Sequence, residues 1–152
     1  MPVFKYNPRR VTGSWKGTVN GRNFAVQFSG YMDGTKIMAE FDEDAVTKHT
    51  GDDGDTSAVI NCNRGASVVV TLVQGTGVNK QLSDLTPNGK NDYFPVGQLN
   101  FEDLNGTTVI KAVTAWIKKS AKVEFSKGIT GRAWTFDTGE ADIDVGGAEV
   151  VD

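Results

Sequence analysis

Cysteine occurs once in 152 residues and histidine once, and each scarcity narrows the chemistry open to this chain. A lone Cys62 rules out an internal disulfide framework and a zinc site built from several thiolates. A lone His49 leaves a hydrolytic triad no choice of base, and no Gly-x-Ser-x-Gly elbow, P-loop or Gly-x-Gly-x-x-Gly motif accompanies it. Basic charge is not in excess. Sixteen Lys and Arg against nineteen Asp and Glu give a formal charge of −3, without the footprint of a nucleic-acid binder. Long apolar runs are missing too. The longest, around Val68–Val73, is far too short to cross a bilayer. The opening MPVFKYNPRR is basic but has no apolar stretch behind it, so no secretory signal is read there. The expectation is a chain that matures where it is made, with no membrane insertion, no catalytic residues, no cofactor and no metal.

Glycine is abundant, at 18 residues, and it falls where strands would turn. From Val11 to Val19 the sequence alternates, a period of two that marks a half-buried strand. Asn20-Gly21 follows, a hairpin signal because both turn positions take positive φ. The return strand sets Phe24, Val26 and Phe28 on one face. A turn at Asp33-Gly34 leads to a strand with Ile37, Ala39 and Phe41 on one side. Further strands are expected at Ala58–Cys62 and Ser67–Gln74, the second apolar on both faces and therefore central in its sheet or covered on both sides. One helix is expected, capped by Thr76, striped by Val78, Leu82 and Leu85, and ended by Pro87 and Asn88-Gly89. Strands then return at Val96–Phe101, Thr108–Lys118, Ala121–Phe125, Arg132–Phe136 and Glu140–Val145, with a turn at Asn105-Gly106. The whole is mainly β: one domain over 1–152, an antiparallel β-sandwich or barrel with one short α-helix.

Three stretches stand out as candidate functional segments. Between Asp42 and Thr56 the periodicity stops, and KHTGDDGDTS carries Lys48, His49, Asp52, Asp53 and Asp55. A calcium loop begun at Asp52 needs a Glu at its twelfth position, where Asn63 stands; begun at Asp53 it needs Gly at its sixth, where Ala58 stands. A long, charged, glycine-rich loop lacks the apolar surface to order itself and is expected to order against a partner. Glu140, Asp142 and Asp144 alternate with Ala141, Ile143 and Val145, so the carboxylates share one strand face. That face is either plain solvent surface or a negative wall past which another polyanion slides. The segment Val109–Ile117 is apolar on both sides, with Ile110, Ala112 and Trp116 read on one face and Val109, Val113 and Ile117 on the other; it serves either core or a subunit contact.

The ordered set DGTKIMAEFDED, KHTGDDGDTS, SAVINCNRGASVVVTLVQ, GVNKQLSDL and GITGRAWTFDTGEADIDVGG resembles tail tube proteins of contractile-tailed bacteriophages. The resemblance runs from about Ser29 to Gly147, and it extends to type VI secretion and tailocin tube proteins of the same fold group. It implies a small β-sandwich or barrel flanked by a helix, assembling as hexameric rings stacked into a hollow tube inside a contractile sheath. It implies that the loop 42–56 reaches the neighbouring ring. It further implies a tail location in the virion, after assembly in the host cytoplasm. The implied partners are further copies of the chain, the tail sheath protein, a tape-measure protein, and baseplate and tail terminator proteins. DNA would pass through the lumen without specific binding, with Glu140, Asp142 and Asp144 as the candidate lumen face. Residues 1–10, read by themselves, are either a frayed end or an arm packing on the adjacent subunit through Phe4, Tyr6, Arg9 and Arg10, with the two arginines meeting acidic groups, and 146–152 is a mobile tail or contact strand. Two other readings stay open: the inner tube of a tailocin, and a monomeric carbohydrate-binding sandwich that stacks sugars on exposed Trp15, Trp116 and Trp134.

Overall fold

The structure, a computed structural model, describes residues 6–7, 10–31, 37–87, 89 and 93–147. The chain runs β1 (Val11–Val19), β2 (Arg22–Gln27), β3 (Ile37–Phe41), β4 (Val46–Thr50), β5 (Thr56–Ile60) and β6 (Ala66–Val73). It continues with α1 (Val78–Asp84), β7 (Val96–Asp103), β8 (Val109–Lys119), β9 (Gly131–Thr138) and β10 (Ala141–Asp144). All strand pairs are antiparallel. The turn after β1 has Asn20 at φ 50° and Gly21 at φ 79°, as an Asn-Gly hairpin requires. The expected Asp33-Gly34 turn lies outside the described residues.

One sheet carries the order β2-β1-β7-β8-β9-β6-β3, with β10 on β8, and β4-β5 form a separate two-stranded sheet. The large sheet folds back on itself. Trp15 of β1 lies edge-on to Phe136 of β9 at 5.1 Å, although three pairings separate those strands along the sheet. Phe28 bridges the layers as well, stacked on Phe101 at 5.2 Å and edge-on to Phe136 at 5.9 Å. The result is the expected β-sandwich, with one core built from Trp15, Val68, Val70, Leu72, Leu99 and Phe136 among others. Glycines make room for it. Gly17 and Gly97 face each other in register, and a Cβ on either would drive into the opposite backbone and into the Phe24 ring. Helix α1 closes one side through buried Val78 and Leu82, and Asn79 ties it to the sheet. The Asn79 amide donates to the Val73 carbonyl at 3.0 Å, and its oxygen accepts from Trp134 Nε1 at 3.0 Å.

Four local expectations are corrected. Thr76 does not cap α1: the N-cap is Gly77 with no side-chain cap bond, and the Thr76 hydroxyl faces the Ser29 carbonyl at 3.4 Å instead. Residues 121–125 form no strand. The Glu124 carbonyl accepts from Thr130 Oγ1 and from Arg132 Nη2, so side chains take the place of a ladder there. The two faces read for Val109–Ile117 are wrong beyond Ala112. The β7–β8 register slips between Gly97 and Leu99, a bulge that puts Ala112, Ala115 and Ile117 inward together. Val113 is left 74% exposed, and Trp116 sits half-buried on the outside against Phe94 at 5.9 Å. Fourth, the segment 42–56 is not patternless: it holds all of β4 and the first residue of β5.

Candidate functional site

The hairpin β4–β5 differs from every other part of the fold. Its strands pair from Val46↔Ile60 to Thr50↔Thr56, and all ten strand residues are exposed. Val46, Val59 and Ile60 are 52%, 59% and 76% exposed, a cost that burial elsewhere would reverse at about 25 cal/mol per Å². An isolated two-stranded hairpin is marginal in water. Its β-branched residues favour extended backbone, and a tight tip closes it: Gly51 N–H donates to the Asp55 carbonyl at 2.8 Å, and Gly54 takes φ 86°.

A polar clamp holds the root where the hairpin leaves the sandwich. Glu43 Oε2 accepts from the side-chain amides of Asn61 at 2.9 Å and Asn63 at 3.0 Å. These donors favour the ionised form and hold the Glu43 carboxyl below its ordinary range. Asp42 accepts from the Ser67 hydroxyl at 2.8 Å, while its backbone N–H meets the Gly65 carbonyl at 3.0 Å. Asn61 N–H closes the last rung on the Ala45 carbonyl at 2.9 Å, and the Arg64 guanidinium lies 4.2 Å from the centre of the Phe41 ring. The hairpin is thus held at its base, and its strand residues are exposed along its length.

The sequence-selected residues distribute along it. Lys48 and His49 lie on β4 opposite Ala58 and Ser57, and Asp52, Asp53 and Asp55 occupy the tip. All are exposed, and they form no enclosed site. Among the described residues, no group of three or more His, Cys, Asp or Glu is placed to hold a metal ion. Sequence reasoning missed the clamp residues Glu43, Asn61 and Asn63 and the exposed Val46–Ile60 pair. The signal for the hairpin was present in the β-branched residues flanking GDDGD.

Glu140, Asp142 and Asp144 are exposed on one face, with Asp142 directly opposite Lys111 in register. Asp144 Oδ1 also accepts from Gly146 N–H at 3.0 Å. That surface is therefore of mixed sign rather than a purely acidic row. Of the arm residues, Phe4 and Arg9 lie outside the described residues. Tyr6 and Arg10 are exposed, and the chain beside them is pinned to the β7–β8 turn by Asn7 and Asn105, which exchange two hydrogen bonds of 2.9 Å. The far end, 148–152, also lies outside the described residues. Trp15 and Trp134 are buried and Trp116 half-buried, so none offers the open face a sugar platform needs. No helix among the described residues is long and apolar enough to cross a membrane.

No family model matches this chain. No curated protein sequence matches it either. Solved structures do. A chain of the cryo-EM structure of the anti-feeding prophage cap, described as the AFP tube terminating cap, superposes with a TM-score of 0.54. The match covers 95% of this chain and 94% of that one at 8% identity. At that identity the likeness establishes a shared fold.

Proposed function

We propose that this chain is a structural subunit of a phage-type tail tube, assembling as hexameric rings stacked into a hollow conduit inside a contractile sheath. The observation that carries the reading is the fully exposed hairpin on a sandwich whose core is complete without it. A head-to-tail, heterologous contact is what generates rings and open filaments, and a projecting element rooted by a fixed clamp is suited to make one. The fold shared with a chain of a tube-terminating cap supports the same direction. In this role the protein makes and breaks no bond. Its partners are its own copies, with sheath, tape-measure, baseplate and terminator proteins at the tube's surface, interior and ends. The working location is the virion tail, reached from the host cytoplasm. Lys48, His49, Asp52, Asp53 and Asp55 serve ring stacking. Glu140, Asp142 and Asp144 face the lumen, where the neighbouring Lys111 softens their repulsion of DNA. Tyr6 and Arg10, with Phe4 and Arg9, belong to a subunit contact.

A second reading has a specific observation behind it: the structural match comes from a cap. A cap ends a tube and does not repeat. Electron micrographs of the purified protein separate the two, since a tube subunit gives stacks of many rings and a cap gives single rings. Deleting Gly51–Asp55 is expected to leave the sandwich folded by circular dichroism and to abolish long tubes. Tubes of normal length from that deletion would refute the role given to the hairpin.

A further inference from the structure

The segment 118–130, the last two residues of β8 and the connection to β9, is the counterpart of the hairpin in two respects. It is apolar where apolar groups do not belong in a finished surface: Val123, Phe125 and Ile129 are 67%, 78% and 70% exposed. It is also basic, with Lys118, Lys119, Lys122 and Lys127 exposed against a single Glu124. The hairpin segment 42–60 has the opposite balance, with six exposed carboxylates against Lys48. Both couple exposed β-branched or aromatic side chains to charge, and the signs are complementary.

Their placement is also complementary. The hairpin leaves the sheet at the start of β6, where Phe41 pairs with Ala66. The segment 118–130 starts at the end of β8, where Lys119 pairs with Thr135, and returns at the other end of β6, where Val73 pairs with Gly131 and Gln74 N–H meets the Thr130 carbonyl at 3.1 Å. Eight residues of strand separate the two ends, roughly 25 Å at about 3.3 Å per residue. One surface cannot satisfy the other within a molecule, but each can satisfy the other's equivalent in the next copy along the strand axis. The basic segment is shaped in advance. Buried Arg132 donates to the Glu124 carbonyl and to the Thr130 hydroxyl, and its guanidinium lies 5.8 Å from the Phe125 ring centre.

We infer that residues 118–130 are the docking surface for the β4–β5 hairpin of a second copy of this chain, making a heterologous contact that repeats along the strand direction. This rests on the tube reading and names the partner surface that reading needs. Lysines 118, 122 and 127 draw in the carboxylates of the hairpin tip, while Val123, Phe125 and Ile129 cover Val46, Val59 and Ile60. Electrostatics set register and approach rate, and apolar burial supplies the holding energy.

The experiment uses three full-length proteins: wild type, a basic-segment reversal (K118E, K122E, K127E) and a hairpin-tip reversal (D52K, D53K, D55K). All six positions are exposed, so circular dichroism and thermal melting of the variants should match wild type. Sedimentation and negative-stain microscopy at low salt are then read. Wild type is expected to stack, each reversal alone to lose stacking, and an equimolar mixture of the two reversals to recover it as alternating copies. Wild type that stacks while the K118E/K122E/K127E protein stacks equally well overturns this docking surface and leaves the tube reading standing. Loss in both reversals without recovery on mixing overturns the direct pairing of the two segments. Wild type that forms no higher assembly at any salt concentration overturns the tube reading and this inference with it.

Discussion

β6 and the β4–β5 hairpin draw on the same residue types and meet opposite environments. In β6 the sequence ASVVVTLV buries Ala66, Val68, Val70 and Leu72 completely, because β9 and β3 flank it and a second layer covers one face. In the hairpin, VTKHT and TSAVI leave every residue in solvent. Extended backbone is favoured in both by β-branched side chains, but only one has a second layer to pack against. β-propensity therefore makes the strand, and the availability of a covering surface decides whether it stabilises the fold or remains free to bind. The core of the sandwich includes no hairpin residue, and the hairpin strands meet solvent throughout.

That contrast can be broken most forcefully from the core side. Trp15 is fully buried, donates to the Ala115 carbonyl at 3.1 Å and touches Phe24 and Phe136, so Trp15→Ala is expected to cost about 3–5 kcal/mol in denaturant unfolding. Arg132→Met comes next. It removes charge-assisted bonds to two carbonyls and a hydroxyl, with an expected loss of about 2 kcal/mol and faster hydrogen exchange across 121–130. The double change Val46→Ser, Ile60→Ser should move monomer stability by less than about 0.5 kcal/mol, the range for exposed sites. The same change should weaken assembly. A large loss of monomer stability would mean that the hairpin is part of the fold after all.

The smallest effect is local and pH-dependent. Glu43 is held below its ordinary range by the Asn61 and Asn63 amides, so its contribution is complete above the unfolded carboxylate pKa and is lost as pH falls through the lower folded value. Acidification below the usual carboxylate range should speed hydrogen exchange at the hairpin root relative to β6. Glu43→Gln should flatten that dependence. Equal acceleration at root and β6 would show that the clamp is not the titrating element.

Much of the sandwich was legible because its strands are one-sided. Trp15, Val26 and Phe28 alternate with Ser14, Lys16, Ala25, Gln27 and Ser29, and burial follows that alternation. The hairpin was illegible for the same reason in reverse. With both faces in solvent, no apolar side alternates with a polar one, so β4 passed for part of a charged loop, and of β5 only Ala58–Ile60 fell within the strand expected at Ala58–Cys62. The phase error in β8 came from the bulge after Ala112, which two-residue counting cannot register. The strand expected over 121–125 came from Val123 and Phe125 alternating with Lys122 and Glu124. That alternation is real in sequence, but no neighbouring strand pairs with it. The polar clamp was out of reach because Glu43 and Asn61 lie 18 residues apart and meet only once the hairpin has formed.

Hydrogen exchange of residues 46–60, followed in the monomer and again in the assembled particle, tests the central claim most directly. Ordering of the hairpin by a neighbouring copy predicts rapid exchange at its outward-facing amides in the monomer and strong protection once copies stack. Protection already complete in the monomer, or exchange equally fast in both states, would contradict it.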